Sequence, residues 1–252
     1  MNICAHVLCY NEEEILKYSL RHYTSFCNRV VVHDLGSKDD SVGIARFYEC
    51  DVMQHDCKGE FDDRLNKQIK EESWKGRSAD WIIQADADEL IYFPSGSFAS
   101  FSAYDLAEIP VVKPHGFEMF SDSFPQTDRQ IYDEIKMGAS DDFWYAKPVI
   151  FSATRVKSIV FGTGAHWCEA TLLDGRKHKA LQSPPVFTNP PCFLLHFHHI
   201  GGLERIARRY DENQKRQSAM NKKMRWGNME DPLKHAKDKR AMIMSKLQQV
   251  IP

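Results

Sequence analysis

Short apolar runs that break off in polar or small residues alternate with stretches of helical periodicity through roughly the first ninety residues of the chain. Ile3-Cys4-Ala5-His6-Val7-Leu8 reads as a strand, and Asn11-Glu12-Glu13-Glu14 leads into apolar positions at Ile15, Leu16, Leu20 and Tyr23 whose spacing predicts a helix. A second strand, Arg29-Val30-Val31-Val32-His33, ends in Asp34-Leu35-Gly36-Ser37, where Gly and Ser predict a turn. Asp39, Asp40 or Ser41 then caps a helix through Ile44, Ala45, Phe47 and Tyr48. A short strand around Val52-Met53-Gln54-His55, a helix over Phe61 to Trp74 and a strand from Trp81 to Ala85 complete the series. Strands alternating with helices predict an α/β fold, a mostly parallel sheet with right-handed crossovers flanked by helices. Ligands of such sheets bind outside the carboxyl ends of the strands, which places Asp34 and the residues after Ala85 in one crevice.

Those residues are Asp86-Ala87-Asp88-Glu89. Three carboxylates at the end of an apolar strand repel one another, and a divalent ion is the usual way of making the arrangement favourable. The same cluster also fits a solvated turn in which Asp88 or Glu89 caps the next element. A second unusual run, Leu194-Leu195-His196-Phe197-His198-His199-Ile200, puts three histidines in a strand-like segment. Alternation sets His196 and His198 on one face and Phe197 with His199 on the other. Neutral imidazole is a common metal ligand, and the rival reading is a pair of partly buried histidines bonded to backbone. None of the seven cysteines has Cys-x-x-Cys spacing, which argues against a structural zinc site.

Between these landmarks, Ile109 to Phe120 reads as an edge strand because Pro110 and Pro114 cannot donate to a ladder. Phe143 to Phe151 reads as another strand, and Phe161 to Glu169 as a glycine-bearing loop ending in a carboxylate. His166 and Trp167 suit a sugar subsite, since aromatic faces stack on apolar sugar faces, and Trp167 suits the core equally.

Leu8-Cys9-Tyr10-Asn11-Glu12-Glu13-Glu14, Val32-His33-Asp34-Leu35-Gly36-Ser37-Lys38-Asp39-Asp40-Ser41 and Gln84-Ala85-Asp86-Ala87-Asp88-Glu89 together resemble the three ordered signatures of family 2 glycosyltransferases with a GT-A fold. The resemblance implies a nucleotide-diphospho-sugar transferase-like fold with a helical C-terminal tail. It implies that Tyr10, Asn11 and Asp34 hold the nucleotide base, that Asp86 faces the ribose, and that Asp88 ligates Mn²⁺ or Mg²⁺ with Glu89 behind it. Arg64 matches a basic position that contacts the nucleotide, with a solvated helix charge as the alternative. Related enzymes close the metal site with a late histidine, a role that His198 fits, with His196 in reserve. An inverting transferase needs a general base to take the acceptor proton, and the family's placement of it points to Glu169 first and Asp142 second. His33 and Lys38-Asp39-Asp40 depart from the family's usual residues, and beyond residue 90 the resemblance fades.

The 252 residues are enough for one domain, with no linker or repeat dividing them. The expected division is a nucleotide-binding half over 1–92, an acceptor and catalytic half over 93–203, and a basic helical tail over 204–252. No apolar run approaches a membrane span, no signal peptide is evident, and the odd cysteine count fits reduced thiols, all of which predict a cytoplasmic protein. A net charge of −2 gives no general attraction to nucleic acid. The tail is locally basic; its arginines nearest the histidines, Arg205, Arg208 and Arg209, suit a clamp on a diphosphate, and the whole segment suits peripheral contact with an anionic membrane or solvated helix faces. The expected activity is metal-dependent transfer of a sugar from a nucleotide-sugar donor to a glycan, a lipid-linked or another hydroxyl acceptor. The rivals are a metal-dependent phosphoesterase or nucleotidyltransferase and a catalytically inactive nucleotide-sugar-binding domain.

Overall fold

A computed structural model of the chain describes residues 1–140, 143–182, 187–226 and 231–252. The first half alternates as expected: β1 Ile3–Cys9, α1 Glu13–Thr24, β2 Arg29–Asp34, α2 Ser41–Phe47, β3 Asp51–Gln54, α3 Asp63–Glu72 and β4 Trp81–Asp86. β5 Glu89–Tyr92, α4 Ser97–Leu106, β6 Val111–Val112, β7 His115–Ser121, α5 Ile131–Glu134, β8 Met137–Ser140 and β9 Ile150–Ser152 follow. The chain ends with β10 Val156–Phe161, β11 Cys168–Leu172, β12 Lys177–Ala180, β13 Phe193–Ile200, α6 Leu203–Arg216, α7 Ala219–Met224, α8 Pro232–Ser245 and β14 Gln248–Gln249.

The first sheet has the order β3-β2-β1-β4-β9-β6. Its first four strands are parallel, and β9 and β6 continue it antiparallel. Every residue of β1 is buried and β2 is exposed only at Arg29, because helices cover both faces of a parallel sheet; that is why these strands read as unbroken apolar runs. Trp81, Phe101, Tyr104, Phe151 and Phe161 fill the core beside them. At the start of α3, the carboxylate of Asp62 accepts from the amides of Arg64 and Leu65, satisfying two of the donors a helix start leaves unpaired.

The second sheet has the order β14-β8-β7-β13-β5, and the later strands of the two sheets correct two expectations. Residues 109–120 are not one edge strand: β6 is indeed an edge, but the chain then passes Pro114 and enters β7, which lies between β8 and β13 at the sheet's centre. Residues 143–149 are not strand; the strand begins only at Ile150. Their apolar character comes from packing, since Tyr145, Ala146 and Val149 are buried without joining a ladder there. A third, antiparallel sheet carries β10, β11 and β12.

The two sheets interleave along the chain. β5 follows β4 after only Ala87 and Asp88 yet belongs to the second sheet, while β6 and β9, from the later part of the chain, complete the first. The C-terminal segment is helical over α6 to α8, but β14 returns it to the edge of the second sheet beside β8. Among the described residues no helix is long and apolar enough to cross a membrane.

Three histidines run through the first sheet. His6 Nδ1 and His33 Nε2 are 2.9 Å apart, as are His33 Nδ1 and His55 Nε2. A chain of N–H···N bonds of this kind needs each ring to carry one proton, because an added proton sets donor against donor. Burial and the neighbouring imidazoles accordingly push both His6 and His33 down to about 3. The unfolded chain takes up these protons as pH falls through about 6.5, whereas the folded protein refuses them until about 3, so stability is full above pH 7 and declines below 6.5. The expected slope is about 1.4 kcal/mol per pH unit for each buried histidine. Urea unfolding at pH 7, 6 and 5 checks it: the midpoint should fall at each step, and less steeply in His33→Gln. A midpoint that holds level to pH 5 would contradict the neutral chain.

Candidate active site

The turn between the two sheets builds the site. β4 delivers Asp86 at the carboxyl end of the parallel sheet, and the backbone carbonyl of Asp88 accepts from the amide of Phe197 at 2.8 Å. That bond extends the β5–β13 ladder, in which His196 pairs with Glu89, and brings His196 and His198 to Asp88. His198 Nδ1 lies 3.3 Å from Asp88 Oδ2, and His196 Nε2 lies 3.7 Å from Oδ1.

One carboxylate oxygen and two imidazole nitrogens from these residues lie within 4.8 Å of one another. Atoms at that separation can share an ion bound at roughly 2.0–2.2 Å. The fit is supported by His198 Nε2, which is buried and has no hydrogen-bond partner among the described residues: a neutral ring whose Nδ1 faces Asp88 leaves that nitrogen unused. Burial pushes His198 down to about 3, with the Arg209 charge adding to it, so the ring is neutral and able to ligate. Burial alone would raise Asp88, but His196, His198 and Arg209 outweigh it and hold the carboxyl well below its usual range. His196 is held up to about 9 against its burial by the charges of Glu118 and Asp88, so its ring has to release a proton before it can ligate an ion.

Glu118 is the first site residue that sequence reading missed. It is fully buried at the centre of β7, and one of its oxygens meets His196 Nδ1. The other oxygen accepts from the amide of His199 at 3.1 Å and lies 3.0 Å from His199 Nδ1. Strict alternation had set His196 and His199 on opposite faces. A one-residue register shift between them against β7 breaks that alternation, so both reach the same carboxylate. The signal was a lone acid in the apolar run Phe117-Glu118-Met119-Phe120. Orienting a histidine through a carboxylate on its far nitrogen is how metal sites fix the ring that ligates.

Asp86 accepts from Lys70 Nζ at 2.8 Å, with Lys147 Nζ at 3.7 Å. Glu89 is fully buried, paired with Lys147, and its other oxygen accepts from the Asp86 amide at 3.0 Å. Burial would lower Lys147, but Glu89 and Asp86 raise it instead, so it stays charged. Neither lysine was singled out in the sequence: Lys70 falls inside the helix expected over Phe61 to Trp74, and Lys147 inside the stretch read as a strand from Phe143 to Phe151.

The helix after the histidine strand closes the site. Arg205 and Arg209, one turn apart on α6, reach back to the start of α1, where Arg205 Nε meets Glu14 at 2.8 Å and Arg209 Nη2 meets Glu12 at 2.7 Å. Arg209 Nη2 also lies 3.0 Å from Asp88 Oδ2. A cavity of about 260 Å³ is lined by Asp86, Asp88, His196 and His198 together with Leu8, Tyr10, Leu35 and Cys57.

The other expected site residues divide. Tyr10 lines the cavity and carries the Arg216 guanidinium over its ring. Asn11, at φ 51°, ties the two signature loops together: its amide donates to Ser37 Oγ at 2.9 Å and its Oδ1 accepts from the Lys38 amide at 2.7 Å. Asp34 is buried at the end of β2 with Oδ1 taken by the Ser37 amide; its neighbour Leu35 is the residue that lines the cavity. Arg64 points away: its side chain is 69% exposed and pairs with Asp62, while Lys70, two turns along the same helix, faces the carboxylates. Glu169 is not brought to this cluster. It sits on β11 between Lys179 at 3.0 Å and Lys177 at 3.3 Å, beside Trp167 in a different depression. A carboxylate clamped by two lysines on a separate sheet is ill placed to take a proton here. Asp142 lies outside the described residues.

The fold and site are those of an α/β protein with a buried carboxylate–histidine centre at the carboxyl ends of parallel strands. No protein-family model matches the chain, and no curated protein matches it. Among solved structures it is similar to S. aureus TarS 1-349, with 13% identity over 84% of this chain and 65% of that one, at a TM-score of 0.48. A second structure of S. aureus TarS has 17% identity over 60% of this chain and 28% of that one, at 0.42. Glucosyl-3-phosphoglycerate synthase from Mycobacterium tuberculosis, in complex with Mn²⁺, uridine diphosphate and glucosyl-3-phosphoglycerate, has 17% identity over 48% of this chain and 44% of that one, at 0.33. The chain spans less than two thirds of the length of each of these. With TM-scores below 0.5 these likenesses decide nothing about this chain, and its function has to be read from the site.

Proposed function

We propose that the protein is a metal-dependent glycosyltransferase that moves a sugar from a nucleotide-diphosphate donor to a hydroxyl acceptor. The observation that carries the reading is the convergence of Asp88, His196 and His198 in a cavity whose lining also includes the apolar residues Leu8, Leu35 and Cys57 and the Tyr10 ring. Such a cavity suits a ligand with a flat base at one end and a diphosphate at the other. The base would lie among Leu8, Tyr10, Leu35 and Cys57, and the ribose would face Asp86. Asp88, His196 and His198 would hold the divalent ion. Two imidazoles beside one carboxylate favour Mn²⁺ over Mg²⁺, which prefers oxygen ligands throughout. When bound, such an ion neutralises the charge developing on the leaving diphosphate. Arg209 beside Asp88 and Lys70 beside Asp86 add fixed positive charge to the same site, where it would stabilise that developing charge.

A thermal-shift and calorimetry screen of uridine, guanosine, cytidine and adenosine diphosphate sugars, each with Mn²⁺ and with chelator, tests this. The expected result is that one donor raises the melting temperature in Mn²⁺ and much less in chelator, because a ligand that binds only the native state stabilises it by mass action. Release of nucleoside diphosphate on adding a hydroxyl acceptor completes the case. Release of inorganic phosphate would favour the phosphoesterase reading, and binding without turnover the inactive one.

A further inference from the structure

Arg209 occupies ground that the proposed ion also needs. Its Nη2 is 3.0 Å from Asp88 Oδ2, the oxygen that also faces His198 Nδ1 at 3.3 Å. It also meets Glu12 Oε1 at 2.7 Å, and its Nη1 is buried with no hydrogen-bond partner among the described residues. A guanidinium is permanently charged, so it cannot shed a proton to make room for a second cation. A divalent ion ligated by Asp88 would therefore sit against it and be repelled, unless Arg209 leaves Asp88 or a new anion arrives beside it. A diphosphate is such an anion: it matches the planar fork of donors and would also satisfy the unpaired Nη1.

We infer that Arg209 is a resident cation that holds Asp88 until a nucleoside diphosphate takes it over, so that metal and diphosphate each favour the binding of the other. The inference rests on the proposed reading of the site. Position supports it: α6 begins two residues after β13, so the strand that carries the two histidines and the helix that carries Arg209 form one continuous segment against Asp88. The link to Glu12 gives the guanidinium a second anchor about which it can turn from one anion to the other without leaving the site. Burial sharpens the effect, since the Arg209 side chain is 13% exposed and that of Asp88 8%, leaving little water to screen the repulsion. Coupling is reciprocal, so whatever factor the diphosphate adds to metal affinity, the metal adds to diphosphate affinity.

The test is titration of Mn²⁺ by electron paramagnetic resonance on the full chain, alone and with the nucleoside diphosphate that binds tightest. The unaltered protein should bind Mn²⁺ weakly alone and more tightly with the nucleotide. In Arg209→Met, Mn²⁺ alone should bind about tenfold more tightly, while the nucleotide in saturating Mn²⁺ binds about tenfold more weakly, so the coupling shrinks from both sides. Arg209→Lys keeps the charge and should keep Mn²⁺ weak in the absence of nucleotide, which separates repulsion from a loosened fold. Unchanged or weaker Mn²⁺ binding by Arg209→Met alone would overturn the exchange even if nucleotide affinity fell. An unaltered protein that binds no Mn²⁺ with any of the nucleotides would overturn the proposed function along with it.

Discussion

Asp88→Ala is expected to abolish the gain in nucleotide affinity that Mn²⁺ gives and to lower turnover on the order of a thousandfold. That figure corresponds to several kcal/mol of transition-state charge stabilisation lost with the ion. Asp88 offers the carboxylate between His196 and His198, and two imidazoles without it give an ion too little charge to displace its water. The same change releases Arg209, which keeps Glu12 as a partner, and the backbone bond from Phe197 to the carbonyl of residue 88 survives any side chain there. The fold should therefore persist. Isothermal calorimetry of nucleoside diphosphate in Mn²⁺ and in chelator, with circular dichroism as the control for folding, checks both statements. A variant that still binds nucleotide more tightly in Mn²⁺ would remove Asp88 from the ion's ligands.

Lys147→Met has the largest expected effect on stability. Glu89 is fully buried and its charged partner is Lys147, whose own side chain is 9% exposed. Removing one member of a buried ion pair leaves the other charged, desolvated and uncompensated, at a cost of about 3–5 kcal/mol. Lys147→Met with Glu89→Gln should recover much of that loss, because a neutral amide can still accept from the Asp86 amide at 3.0 Å while adding no buried charge. Urea unfolding of the single and double variants closes the cycle. A single variant within about 1 kcal/mol of the unaltered protein would contradict the buried-pair reading.

The first sheet was legible in the sequence because parallel strands buried on both faces leave continuous apolar runs, as in Ile3–Cys9, and because helices between them show a different period. The carboxylate cluster was legible for a related reason: charge at the end of a buried strand is costly unless something pairs with it. The three histidines stood out in their apolar run in the same way. Sequence alone thus determined the alternating half of the fold, the edge of the sheet where ligands belong, and the residue types that converge there.

What it could not determine is which distant groups meet. Residues 109–120 look like an edge strand because proline bars hydrogen bonding locally, yet whether β7 becomes central depends on β13, more than seventy residues away, choosing to pair with it. The one-residue shift that turns His199 toward Glu118 exists only relative to that partner strand. Arg64 and Lys70 share one helix, and the Lys70 face is the one turned to Asp86. Glu169 follows the histidine–tryptophan pair at a plausible distance along the chain, but β11 belongs to a separate sheet where two lysines hold it. Charge partners are chosen by burial and three-dimensional proximity, and neither is encoded in the spacing of a single sequence.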